Sequence, residues 1–243
     1  MPFDFQIFWV TLTLVCFFIS SILYAKYKTP LLNPVFIAVI LLIVIIKISG
    51  ASIEQYNKSV GIINFFLGPA VVALGHLLHK QWEEIAKNIK AIFCSIGAAS
   101  LIGVISVVIT AHMLGASSEL LATLAPKSVT TPIAIGIASK TGGIPSLSAA
   151  VVIAVGIFGA ISGSWFLNLT KIKHPFARGL AFGSASHGIG TARAVEEGEV
   201  SGTAAALAIG LMGIFTVTYI FLMYVLVGNW LKIQKILEKI IIF

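Results

Sequence analysis

Two stretches of this 243-residue chain combine polar chemistry with residues that break helices. The first is APKSVTTPIAI, residues 125–135, in which Pro126 and Pro132 bracket Lys127, Ser128, Thr130 and Thr131. Each proline removes a backbone N–H and interrupts a helical ladder. The half-helix that follows would aim free N–H groups and its positive dipole end at an anion. Lys127 adds a full positive charge, and the hydroxyls add donors without charge. The competing assignment is a lysine that snorkels to an interface, with hydroxyls bonding back to their own helix.

The second stretch is GSASHGIGTARA, residues 183–194. Gly188 and Gly190 let backbone open and approach a ligand closely. Arg193 can hold a carboxylate through two parallel hydrogen bonds, a geometry lysine cannot offer. His187 can exchange a proton near neutral pH and so couple binding to a proton. Ser186 and Thr191 supply hydroxyls. The plainer alternatives are an ion pair of Arg193 with Glu196 or Glu197, and a static hydrogen bond of His187 in a packed bend. The candidate substrate-binding set is therefore Lys127, Ser128, Thr130, Thr131, Pro132, Ser186, His187, Gly188, Gly190, Thr191 and Arg193.

Enzyme motifs fail at both stretches. Gly188-x-Gly190 is followed by Arg193 where a dinucleotide fingerprint needs a third glycine, and no strand–helix–strand pattern surrounds it. GSASHG has one residue too many for a nucleophile elbow. No Cys or His spacing suits a metal, and no cofactor is expected, with a coupling proton or cation left open. Cys16 and Cys94 fall in separate apolar runs and read as buried free thiols.

The elements that must carry these residues are membrane helices. Hydrophobic residues make up 58% of the chain and charged residues 10%, against about 25% charged in a soluble domain. That balance excludes a cytosolic enzyme. The excess of 16 Lys+Arg over 9 Asp+Glu suits cytoplasmic loops and anionic lipid, not nucleic acid. The expected fold is an all-α polytopic membrane protein with about six full spans, at residues 5–25, 33–50, 60–78, 91–114, 144–169 and 204–227. The N-terminus lacks a basic leader region and reads as a retained first span. Residues 229–243 place Lys232, Lys235 and Lys239 on one stripe, suggesting an interfacial or partner-binding helix.

Residues 117–143 and 174–202 are the two broken segments, and they resemble one another. Thr131, Ala134, Ile135 and Gly142 align at equal offsets with Thr191, Ala194, Val195 and Gly202. Non-helical backbone survives at membrane depth only where protein or a wet cavity surrounds it. Internal repeats around discontinuous helices are common in secondary transporters. Re-entrant segments would make the repeats inverted and place Lys171 and Lys173 on the same side as Lys26, Lys28, Lys80, Lys87 and Lys90. Fully crossing segments would put Lys171 and Lys173 on the other side. The glycine pairs 159/163, 179/183 and 198/202 have the spacing of close helix packing.

PKSVTTPIAI, GGIPSL and ARGLAFGSASHGIGTARA, with NPVFIAVILL and FLGPAVVAL upstream, resemble the LrgB/CidB family over about residues 33–226. The resemblance implies one LrgB-like transmembrane domain across 1–243: an extra N-terminal span over 1–32, a family core over 33–227 and an amphipathic tail over 228–243. It implies a bacterial plasma-membrane protein paired with a small LrgA/CidA-type membrane protein, with a homo-oligomer left open. Family members are described as antiholin- or holin-like and affect murein hydrolase activity and cell lysis. The plastid glycolate/glycerate translocator resembles a fusion of the two partners, and bacterial relatives are linked to pyruvate uptake. Two Pro/Gly-broken polar segments suit a buried anion site better than a simple lytic pore, so a carrier for small monocarboxylates is the leading expectation. The alternative is a non-transporting lysis regulator or a holin-like pore subunit.

Overall fold

Proline, glycine and short polar caps punctuate an otherwise apolar chain, and the helices begin and end at them. The computed structural model describes residues 3–27, 29, 32–66, 69, 79 and 82–241, and among these it contains helices and no strand. The helices are α1 (Phe3–Tyr27), α2 (Pro34–Ser49), α3 (Ile53–Ser59), α4 (Gly61–Phe65) and α5 (Trp82–Met113). They continue as α6 (Ser118–Leu124), α7 (Thr131–Thr141), α8 (Pro145–Leu169), α9 (Pro175–Glu197) and α10 (Glu199–Ile241). Asn33 caps α2 by accepting from the N–H groups of Val35 and Phe36, with Pro34 in the first turn, where a missing N–H costs nothing. Ser52 and Gln55 form a reciprocal capping box on α3, and the Ser117 hydroxyl accepts from the Leu120 N–H to start α6.

Among the described residues four helices, α1, α5, α8 and α10, are long and apolar enough to cross a bilayer. The chain is a multi-pass membrane protein. Helix α2 realises the expected span at 33–50 with 16 residues, about 24 Å of helix. The span expected at 60–78 opens with a break at Val60 between α3 and α4. Most of its remainder, with Gly68, His76 and much of the polar connection after it, lies outside the described residues. Residues 229–241 of the expected tail continue α10, which runs for 43 residues to Ile241. Cys16 is buried as expected, whereas Cys94 is exposed on the apolar surface of α5.

Helix α9 is two arms, residues 175–185 and 188–197. Ser186 and His187 leave helical geometry between them, His187 with a φ of 42°. A straight helix would hold Arg178 and Glu197 about 28 Å apart. Instead Arg178 donates from Nε and Nη2 to the two Glu197 carboxylate oxygens, at 2.6 and 2.8 Å. The chain therefore turns back at Ser186–His187, and α9 is a hairpin whose two ends lie side by side.

Residues 118–141 make a second fold-back. The Ile144 N–H donates to the Thr123 hydroxyl at 2.8 Å, which ties the chain beyond α7 to helix α6. Helix α7 then runs antiparallel to α8, with Ala134 and Val152 in one core cluster. Its turn, residues 125–130, carries Lys127.

Helices α5, α8 and α10 enclose both hairpins. The 175–185 arm lies against α10 so closely that a Cβ at Gly179 would collide with the Ser201 carbonyl oxygen, and one at Gly183 with that of Ala205. The glycine pair is a packing device, as its spacing predicts. Ile85, Ile92 and Ile96 of α5 join Phe176, Ala204, Ala208 and Met212 in the main core. Farther along the same helices, Val104 and Ile220 pack with Ala125 and Ile137 of the α6–α7 hairpin. A Ser100–Thr216 hydrogen bond of 2.8 Å links α5 to α10 between these clusters. Each of the long helices thus serves one hairpin with one half and the other hairpin with the other half.

Candidate functional site

Helix α8 sets the depth at which the two turns sit. The 175–185 arm runs antiparallel to it: a Cβ at Gly163 would meet the Phe182 ring, and one at Gly159 the Ser186 hydroxyl. The His187 ring lies where a Cβ at Gly156 would fall, 2.6 Å from its nearest carbon. Gly156 is the twelfth of the 25 residues of α8, so the turn at Ser186–His187 stands at that helix's midpoint. Val129, from the other turn, packs on Val152, and the Val152 carbonyl accepts from His187 Nε2 at 2.8 Å. One residue of α8 therefore touches both turns, its side chain facing one and its carbonyl the other.

Between the turns and α8 lies a cavity of about 500 Å³. Lys127 and Ser186 face it at its inner end. Val155, Phe158, Gly159, Ser162, Gly163, Trp165, Phe166 and Leu167 of α8 form one wall, with Ala181, Phe182 and Ala185 of α9 opposite and Ile172 at the far end. The Lys127 ammonium donates to the buried Ser128 hydroxyl at 3.0 Å. Among the described residues no carboxylate pairs with Lys127; the ion pairs are Glu54–Lys58, Arg178–Glu197 and Arg193–Glu196. A half-buried ammonium with one neutral partner and an apolar wall favours an anion beside it.

The other candidates fall in three places. Thr130 caps α7 in extended geometry, and its side chain makes no hydrogen bond to the N–H groups of the first turn. Thr131 and Pro132 begin that helix. Thr191 is buried and donates back to the His187 carbonyl at 2.9 Å, while Gly190 is packed against Phe182 and Ser186 and Gly188 faces open space. These residues shape the turns but do not line the cavity. The Val152 carbonyl requires a proton on His187 Nε2, so His187 realises the static hydrogen bond in a packed bend.

Arg193 stands apart from Lys127. It pairs with Glu196 at 2.5 Å and donates to the Ser164 hydroxyl at 3.1 Å and the Tyr24 hydroxyl at 3.2 Å. Ser164 in turn donates to Glu197 at 2.6 Å. Arg178 also reaches Asn168 Oδ1 and the Ile172 carbonyl, both at 2.9 Å. This polar cluster closes the open end of the α9 hairpin and ties it to α1 through Tyr24. Sequence reading singled out Arg193 but missed Arg178, Ser164, Asn168 and Tyr24. The available signal was that Arg178 and Glu197 are opposite charges near the two ends of a segment with a break at its centre.

A membrane protein with two helical hairpins meeting tip to tip is the class these features define. The LrgB-like family model matches residues 13–226. A Bacillus subtilis protein, YxaC, carried as uncharacterized, is 36% identical over 205 residues, 84% of this chain and 89% of its own. The antiholin-like protein LrgB of Bacillus cereus is 34% identical over 214 residues, 88% of this chain and 93% of its own, and the Bacillus anthracis protein of that name matches to the same extent. No solved structure matches. The chain belongs to the LrgB-like family.

Proposed function

We propose that this protein is a membrane carrier for small monocarboxylates such as pyruvate, glycolate and glycerate. The observation that carries this reading is Lys127: an ammonium without a carboxylate partner among the described residues, at a hairpin turn, facing a cavity it shares with Ser186. A substrate carboxylate there would pair with Lys127, and Ser128 and Ser186 would meet its hydroxyl or keto group. The uncapped first turn of α7 would add backbone donors and its positive dipole end. Arg193, committed to Glu196, would hold the hairpin in place and leave charge neutralisation to Lys127.

The two hairpins form an inverted repeat in this reading, with six crossings once residues 60–78 are counted. What supports it is that α9 opens beside the C-terminal end of α8, whereas α6–α7 opens beside its N-terminal end. Lys26 lies near Tyr24 at the α9 end, Lys171 and Lys173 precede α9, and Lys87 and Lys90 flank its core partners Ile85 and Ile92. Under the positive-inside rule that end faces the cytoplasm of a bacterium. A small LrgA/CidA-type membrane protein would complete the assembly, and α1, tied to α9 mainly through Tyr24, is the element positioned to meet it.

The second reading follows from the relatives called antiholin-like: a regulator of lysis or a pore subunit. Labelled pyruvate uptake into proteoliposomes holding an entrapped dye separates the two. A carrier gives saturable uptake without dye loss, and Lys127→Gln lowers uptake at least tenfold while the protein still purifies as folded. Dye loss without saturation, or uptake unchanged in Lys127→Gln, overturns the carrier reading.

A further inference from the structure

A three-carbon acid would leave most of this half-open, largely apolar groove unfilled. Pyruvate has six heavy atoms, and at about 30 Å³ each, a water's share of its liquid, it fills at most about 180 Å³ of the roughly 500 Å³ present. The rest is a groove along the line where α8 meets the 175–185 arm. From Val155 to Phe166 it extends about 16 Å along the helix axis. Lys127 and Ser186 stand at the inner end, Ser162 lies partway along with its hydroxyl bonded back to the Phe158 carbonyl, and Phe158, Trp165, Phe166 and Phe182 line its length. Phe158, Trp165 and Phe166 are 71%, 66% and 56% exposed, so the groove also opens sideways on the apolar surface of the protein.

An elongated, largely apolar groove, with a cation at its inner end that lacks a carboxylate partner among the described residues, is complementary to an amphiphile with a single anionic head. We propose that the site takes monocarboxylates bearing an apolar tail of several carbons, carboxylate on Lys127 and tail along the aromatic wall toward Ile172. This rests on the reading of the Lys127 cavity as a carboxylate site and names the class of acid that fills it. Ser186 and Ser128 orient the head, and the wall selects by tail length.

The test is calorimetric titration of the full-length protein in phosphatidylcholine nanodiscs with propanoate, butanoate, hexanoate and hexan-1-ol. Affinity should rise roughly two- to fourfold per methylene, and hexan-1-ol should bind at least tenfold more weakly than hexanoate. Lys127→Gln should weaken every acid at least tenfold. Ala181→Trp, one turn farther along the wall from Ser186, should flatten the rise in affinity with tail length. 6-Bromohexanoate should quench tryptophan fluorescence, and Trp165→Phe should remove that part of the quenching. Equal affinity across the acids, hexan-1-ol binding as tightly as hexanoate, or tail-dependent binding surviving Lys127→Gln overturns the proposal. So does loss of hexanoate binding when phosphatidylglycerol is added, which would make the groove a phospholipid site. Saturable pyruvate uptake without tail preference would keep the carrier and remove this inference. Tail-dependent binding without uptake would keep this inference and remove the carrier.

Discussion

The two hairpins are built to opposite specifications. In α9 the arms are clamped by a doubly hydrogen-bonded Arg178–Glu197 pair that is 12% and 15% exposed. Both faces of that hairpin are fitted by glycine to α8 and α10. The α6–α7 hairpin is closed by a hydrogen bond from Ile144 to Thr123, its Gly136 meets nothing, and its turn holds an ammonium with one neutral partner. One hairpin spends its polar groups on fixing its own shape; the other keeps a charge available. A rigid turn facing a chemically open one is a division of labour between positioning and binding.

That contrast can be broken most severely at the clamp. Glu197→Ala leaves Arg178 partly buried and unpaired, and should cost about 3 kcal/mol or more, read as a large fall in the unfolding temperature of detergent-solubilised protein. The double variant with Arg178→Ala should recover part of that loss; an unchanged unfolding temperature in Glu197→Ala would mean the arms do not need the pair. Next in size is Gly183→Ala, which drives a methyl into the Ala205 carbonyl and should cost roughly 1–3 kcal/mol. The matching change in the other hairpin, Gly136→Ala, enters open space on a helix and should be neutral or stabilising by up to about 1 kcal/mol. Reversal of that order would remove the distinction between the hairpins. Thr123→Val, which strips the Ile144 N–H of its acceptor, should cost about 1 kcal/mol. The smallest effect is expected from Glu196→Gln, whose pair with Arg193 is 45% and 28% exposed: within about 1 kcal/mol, in a double-mutant cycle with Arg193→Gln.

Much of this was legible in the residues themselves. Pro126, Pro132, Gly188 and Gly190 marked both breaks within apolar stretches, and the glycine pairs at 159/163 and 179/183 announced close helix contacts. The span expected from residue 33 begins there, with Asn33 as its cap. What could not be read was direction. A broken helix that crosses and one that turns back have the same local signals, and the Arg178–Glu197 pair decides between them over 19 residues. Arg193 looked like a ligand because guanidinium chemistry is the same in a binding site and in a structural pair; only Ser164, Glu196 and Tyr24 around it distinguish the two. The aromatic wall was hidden for a related reason. Phe158, Trp165 and Phe166 resemble any lipid-facing residues, since a groove that opens sideways asks for the same side chains as the bilayer does.

The meeting of both turns at the midpoint of α8 also has an electrical meaning. In the carrier reading each hairpin carries the chain only halfway through the apolar thickness. The barrier between the two sides would then be thinnest where Val129, Val152 and His187 meet. A membrane potential would fall most steeply across such a septum. A unit charge moved across 100 mV exchanges about 2.3 kcal/mol, so an anion reaching Lys127 from either side has that work concentrated in its last few ångströms. The same lysine that holds a charge there would also feel the potential most steeply, and small rocking of the α6–α7 turn would count as charge movement.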